Sequence, residues 1–200
     1  MRICMETMTQ LYEQMEREFR TEFRGDRRRM VFGEGPESGA ALLLIGEAPG
    51  AEEVHQSRPF VGKAGKNLDQ FLAALELSRS EIRISNVVKV RPTKVSPKGS
   101  VSNRPPNRME LIFFIPWLRK EIALAQPDLI VTLGNVPLKA LLGEDEVIGK
   151  RHGRITELEL EDRTIPLWPL YHPASIIYNP SLKETYAQDL AGLKEYLESK

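Results

Sequence analysis

The chain has a single cysteine, Cys4, among its 200 residues. One thiol makes no intrachain disulfide and supplies no cysteine cage for a metal. Long apolar runs are also lacking, and none approaches the ~20 residues that span a bilayer. Its first residues carry acids and arginines where a secretory leader has an apolar stretch. Net charge is absent as well, since 28 cations balance 28 acids. That balance excludes a broadly basic nucleic-acid coat but leaves room for a local basic groove. A cytoplasmic monomer with no membrane association is expected, and the length suits one α/β domain with a substantial core.

Periodicity supplies the elements. Met8, Leu11, Met15 and Phe19 recur at three and four residues, so residues 1–30 are expected to form a helical extension packed on a domain of residues 31–200. The run 40–46 is apolar throughout and ends in glycine, the pattern of a strand buried on both faces. Runs 82–88, 128–134 and 165–170 read likewise as strands, and 155–160 alternates like a half-exposed antiparallel one. Leu68, Phe71, Leu72 and Leu75 make a helical stripe. Asn107 with Glu110 resembles a capping box opening a helix that Pro116 must kink or delay, and Ser181 with Glu184 resembles the cap of the last helix. The fold expected is α/β: three layers, α/β/α, around a mostly parallel four-stranded sheet, plus the N-terminal helix.

Ligands gather at the carboxyl ends of the strands of such sheets. Three places follow: Gly46-Glu-Ala-Pro-Gly50 with Ala51, Glu52 and Glu53; Asn86; and Tyr171-His172-Pro173. A carboxylate, an amide and an imidazole suit the cleavage of a base from its sugar. The carboxylate stabilises an oxocarbenium-like sugar or orients water, the imidazole donates to the departing base, and the amide matches the N3–H and O4 of uracil. Gly62-Lys-Ala-Gly65-Lys66 fails the spacing of a nucleotide-phosphate loop, which excludes an NTPase.

Four blocks in this order, Gly46–Gly50, Arg58-Pro-Phe-Val-Gly-Lys-Ala-Gly65, Asn86-Val-Val-Lys89 and His172-Pro-Ala, resemble the family-four uracil-DNA glycosylases of thermophilic bacteria and archaea. The resemblance implies a DNA-repair enzyme that hydrolyses the N-glycosidic bond of a flipped-out uracil. It gives Glu53 the role of activating or positioning water and His172 that of donor to O2. Phe60 becomes the ring on which uracil stacks and Asn86 the base-reading amide, with Gly46, Glu47 and Ala48 lining the pocket. Ile176 or Ile177 is the candidate wedge into the duplex. The expected partner is uracil-containing DNA, single-stranded or mispaired. Alternatives are a glycosylase for another deaminated base and a damaged-DNA-binding protein without catalysis.

Residues 89–108 read as a long loop rich in proline, glycine and cations, in which Lys89, Arg91, Lys94, Lys98, Arg104 and Arg108 stand with no acid among them. Beside such a pocket, Arg91, Lys94 and Arg104, with Lys63 and Lys66, are expected to meet backbone phosphates. His55 and His152 read as surface histidines.

The chain departs from the family at its metal. Family-four enzymes share four cysteines that hold a four-iron–four-sulfur cluster. Val90 and Phe114 stand at two of those places, and no Cys-x-x-Cys pair occurs. No cofactor and no metal are therefore expected, with apolar packing by Val90, Phe114 and the N-terminal helix in the cluster's stead. Val54 and Ser57 depart from the aspartate and glycine that the family often carries there.

Overall fold

The computed structural model describes residues 7–200, apart from the side chains at positions 63, 64, 67 and 177. The expectations placed on Cys4, and on the side chains of Lys63 and Ile177, lie outside the described residues. In chain order the elements are α1 (Met8–Glu22), β1 (Leu42–Gly46), α2 (Ala51–Gln56), α3 (Lys63–Ala74), β2 (Ile82–Asn86), β3 (Thr93–Val95) and β4 (Val101–Asn103). They continue with α4 (Arg108–Ala125), β5 (Ile130–Leu133), α5 (Asn135–Leu142), α6 (Ile148–Arg151), β6 (Thr156–Glu159), β7 (Thr164–Leu170), α7 (Pro173–Tyr178) and α8 (Leu182–Glu198).

The main sheet runs β2-β1-β5-β7-β6, with β2, β1, β5 and β7 parallel and β6 antiparallel at the edge. It therefore has five strands rather than the four expected, because the half-exposed run 155–160 hydrogen-bonds to β7 as the sheet's last member. Side chains along β1 alternate between two cores. Leu43 and Ile45 enter the one beneath α1, α4 and α5, and Leu42 and Leu44 the one beneath α3 and α8. This makes the three layers, with helices on both faces of strands too apolar to meet water.

Thr7 accepts the N–H of Gln10 and starts α1, whose Met8, Leu11, Met15 and Phe19 are all buried against α4 and its neighbours. Asn107 and Glu110 form the expected reciprocal cap of α4, which opens well before Pro116 and carries it in its interior. Two local expectations fail. Ser181 does not cap α8: its backbone is helical and its hydroxyl donates to Asn179 Oδ1 (2.7 Å). The stretch after Lys89, expected as an open loop, folds into an antiparallel β3–β4 hairpin turned by Ser96, Gly99 and Ser100. A cation-rich composition hid the hairpin, since two three-residue strands give almost no periodic signal.

Chain order places a topological switch between β1 and β5: from β1 the chain moves to β2 on one side, then crosses to β5 on the other. The ladders set Gly46 opposite Asn86 and Leu133 opposite Leu170, so the carboxyl ends of four parallel strands finish at one level. A crevice at that edge is where this architecture holds ligands.

Candidate active site

Gly46 ends β1 at the centre of that edge. A Cβ placed on it would lie 2.5 Å from Asn86 Oδ1 and 2.6 Å from Cζ of Phe60, so only glycine lets backbone, amide and ring meet there. Asn86 and Phe60 are both nearly inaccessible. The Asn86 side chain makes no hydrogen bond among the described residues, which leaves its donor and acceptor for a ligand. Phe60 sits in the left-handed region at φ 53°, a strained conformation for an aromatic residue. Arg79 holds it there by donating to the carbonyls of Pro59 and Phe60 (3.1 Å each), and Gly65 closes in where a Cβ would strike the Phe60 carbonyl.

Two acids flank this centre and differ in how they are engaged. Glu53 is buried, with Oε2 accepting the Gly50 N–H (3.1 Å) and Oε1 the Gly62 N–H (2.9 Å). It ties the loop after β1 to the loop before α3. Glu47 is half-buried and unpaired among the described residues, and burial raises its carboxyl above the usual range. Ala48 packs beside it on the core under α4.

His172 caps α7 from the end of β7. Its Nδ1 accepts the N–H of Ala174 (3.1 Å), and burial holds the imidazole below its ordinary value of 6.5. A neutral ring with an accepting Nδ1 carries its proton on Nε2, so the group offers one N–H donor. Gly134 follows β5 at φ 87°, a conformation that favours glycine, and His172 packs beside it. In the unfolded chain the ring protonates at its ordinary value, so His172 contributes stability that is complete above pH 6.5 and shrinks as the pH falls below it. An NMR titration of the ring is expected to give a midpoint below 6.5 with the Nε2–H tautomer above it; a midpoint at or above 6.5 would refute this.

Amide, ring, donor imidazole and two acids thus converge on the carboxyl edge of one sheet. The chain matches the family described as the Uracil DNA glycosylase superfamily over residues 32–193. It is 36% identical to the type-4 uracil-DNA glycosylase of Saccharolobus solfataricus over 179 residues, 87% of this chain and 79% of that one. With the type-4 enzyme of Pyrobaculum aerophilum it shares 35% over 189 residues, covering 86% and 88%, and with that of Thermotoga maritima 31% over 175 residues, covering 86% and 85%. The chain belongs to the uracil-DNA glycosylase superfamily.

For a member of the superfamily, the cations expected to meet DNA divide into two sets. Lys66 and Lys94 are exposed. Arg91 holds Asn103 Oδ1 (2.8 Å), and Asn103 reaches toward the Gly50 loop, a site neighbour the sequence gave no reason to single out. Arg104 is occupied within the protein: it grips both oxygens of Glu110 (2.7 and 2.8 Å) and the Thr93 carbonyl. Burial would raise the Glu110 carboxyl, but Arg104 and Arg28 bring it down to about 2. Lys89 is fully buried and unavailable to any phosphate. In α7, Ile176 packs against the core while Tyr178 stands exposed. His55 is exposed, but His152 is not the simple surface residue expected, since its Nδ1 lies 2.8 Å from Asp189 and its ring packs on Tyr171.

The residues at the places where the family-four resemblance implies a cluster are apolar. Val90 and Phe114 are fully buried in one apolar unit with Met15, Phe19 and Met30; the Phe114 ring lies 5.5 Å from that of Phe19 and 5.0 Å from that of Phe113. Among the described residues no three histidines, cysteines or acids stand together as metal ligands, and the sequence holds one cysteine. Thiolate ligation of an iron–sulfur cluster does not fit these residues.

Proposed function

We propose that this protein is a DNA glycosylase that removes uracil flipped out of DNA, by hydrolysis of the N-glycosidic bond and without an iron–sulfur cluster. The observation that carries the reading is the meeting of Asn86, Phe60 and the Gly46 backbone at one point, with a donor imidazole on the same edge. Uracil stacks on Phe60, and the Asn86 amide pairs with its N3–H and O4. As the bond to the sugar breaks, negative charge grows on O2 and the Nε2–H of His172 stabilises it; one such donor is worth roughly 3–4 kcal/mol of barrier.

The resemblance gave water activation to Glu53. The division we favour leaves Glu53 as the clamp between two loops, because both its oxygens already accept backbone N–H groups. Glu47 then activates the water, because its carboxyl is unpaired and burial makes it a stronger base. Lys66, Lys94 and Arg91 are the cations for DNA phosphates, and α7 carries the wedge. Every group named comes from one copy of the chain, which suits a monomer. No helix among the described residues is long and apolar enough to cross a membrane, and we place the enzyme with the DNA in the cytoplasm.

Extrusion costs a few kcal/mol and least for an unpaired or mispaired base, so single-stranded U and U·G are expected to be cut faster than U·A. The test is EDTA-treated protein with a labelled single-uracil oligonucleotide, followed by alkali to break abasic sites. Strand cleavage with that order of rates is expected. No cleavage by folded protein, on uracil or on hypoxanthine and xanthine duplexes, would leave only a binding role.

A further inference from the structure

β2 is the edge strand of the main sheet, and its last residue is Asn86. The peptide joining Asn86 to Val87 donates its N–H inward to the Gly46 carbonyl (2.9 Å). Its own carbonyl therefore points outward, off the edge. Two residues earlier the outward groups of Ile84 pair with Glu34, and the same segment pairs again at Lys89 and Val90, but among the described residues it gives no bond to the Asn86 carbonyl. The Lys89 ammonium takes the carbonyl instead, at 2.6 Å.

Lys89 is spent completely on this arrangement. Its other two bonds go to Ser85 Oγ and Glu121 Oε2, both at 2.7 Å, and an ammonium has three protons to give. Glu121, equally buried on α4, also accepts from Ser85 Oγ (3.0 Å), Tyr12 (2.6 Å) and Arg83 (3.3 Å). Tyr12 comes from α1, and its oxygen accepts the Gly33 N–H (3.2 Å). The cluster holds two cations, Arg83 and Lys89, against one carboxylate, all at 0 or 1% exposure. Burying such a set costs several kcal/mol per ion before its hydrogen bonds return anything, and apolar side chains of similar volume often do as well for stability. Stability alone does not account for it.

We infer that Lys89 is a positioning residue for the reaction: it fixes the Asn86 peptide from outside while Gly46 fixes it from inside, and so aims the Asn86 amide at the base. Glu121 is the counter-ion that holds the ammonium in place, and through Tyr12 the same carboxylate couples α1 to the base-reading strand. This rests on the reading of Asn86 as the base-reading amide. A strand end held on one side only tilts its side chain, and small misplacements of a reacting geometry cost up to about 100-fold.

The experiment is a double-mutant cycle under single-turnover conditions, with Lys89→Met and Asn86→Ala singly and together, on uracil and on N3-methyluracil oligonucleotides. Lys89→Met is expected to lower the chemical rate about 10–100-fold with little change in KM. It should also narrow the preference for uracil over the methylated base, and add nothing once Asn86 is alanine. Lys89→Gln, whose amide still donates to the Asn86 carbonyl, should recover part of the rate; it replaces Lys89→Met in the cycle if the methionine variant does not fold. Equal losses in both backgrounds would make Lys89 merely structural and overturn the inference, as would an unchanged rate. An Asn86→Ala variant that keeps full discrimination would overturn the reading of Asn86 itself, and the inference with it.

Discussion

Glu47→Gln is expected to slow uracil release by about 10²–10⁴-fold, the range of a lost general base, whereas Glu53→Gln should cost about tenfold. The contrast follows from what each carboxyl already does. Glutamine at 53 keeps one acceptor and turns its NH2 toward the other backbone N–H, so one of the two bonds to Gly50 and Gly62 is lost. That loss loosens the loops and lowers stability by about 1.5–3 kcal/mol, the range for a hydrogen bond to a charged group. Glutamine at 47 disturbs no bond among the described residues and leaves the fold alone. It removes only a carboxylate that burial has made more basic. Single-turnover rates and melting temperatures for the two variants separate the roles. A dead Glu53→Gln beside a nearly normal Glu47→Gln would return water activation to Glu53, where the family resemblance first put it.

The same pair shows what the sequence disclosed and what it withheld. Glu47 stands in the Gly46–Gly50 block and Glu53 three residues past it, and the rule that ligands gather at strand ends was enough to point to Asn86 and His172, which the structure sets at that edge. That legibility has a physical source: a strand buried on both faces tends to read as a near-continuous apolar run, and ligands gather past its carboxyl end, so β1 and its glycine are visible in a single chain. Which acid is tied down was not legible, because the Glu53 partners are backbone N–H groups whose approach depends on two loops. Lys89 was misread for a related reason. Cations in a stretch without acids look solvated, and the carboxylate that buries this one lies 32 residues on, in α4. The edge strand β6 was seen as a strand but left out of the sheet count, since alternation reveals a half-exposed face and not the neighbour it pairs with.

The apolar unit at Val90 and Phe114 leads to the largest effect expected on stability. Phe114 is fully buried, and its ring meets those of Phe19 and Phe113. Truncating such a residue removes its transfer free energy and leaves a cavity, a sum of about 3–5 kcal/mol. Phe114→Ala should therefore lower the melting temperature by roughly 10 °C for a chain of this size. Val90→Ala, which deletes fewer atoms from the same unit, should cost clearly less. Met15 and Phe19 of α1 reach the same unit, so loss of the Phe114 ring removes part of the packing under a helix whose Tyr12 still bonds Glu121. Denaturant titration of Phe114→Ala is expected to show the lost stability, while uracil release at low temperature, where the variant is folded, stays within a few fold of normal. A cost below about 1 kcal/mol would mean that this packing does not hold α1 in place. Phe114→Cys should gain no iron, since one added thiol beside apolar neighbours is far from the four thiolates a cluster takes.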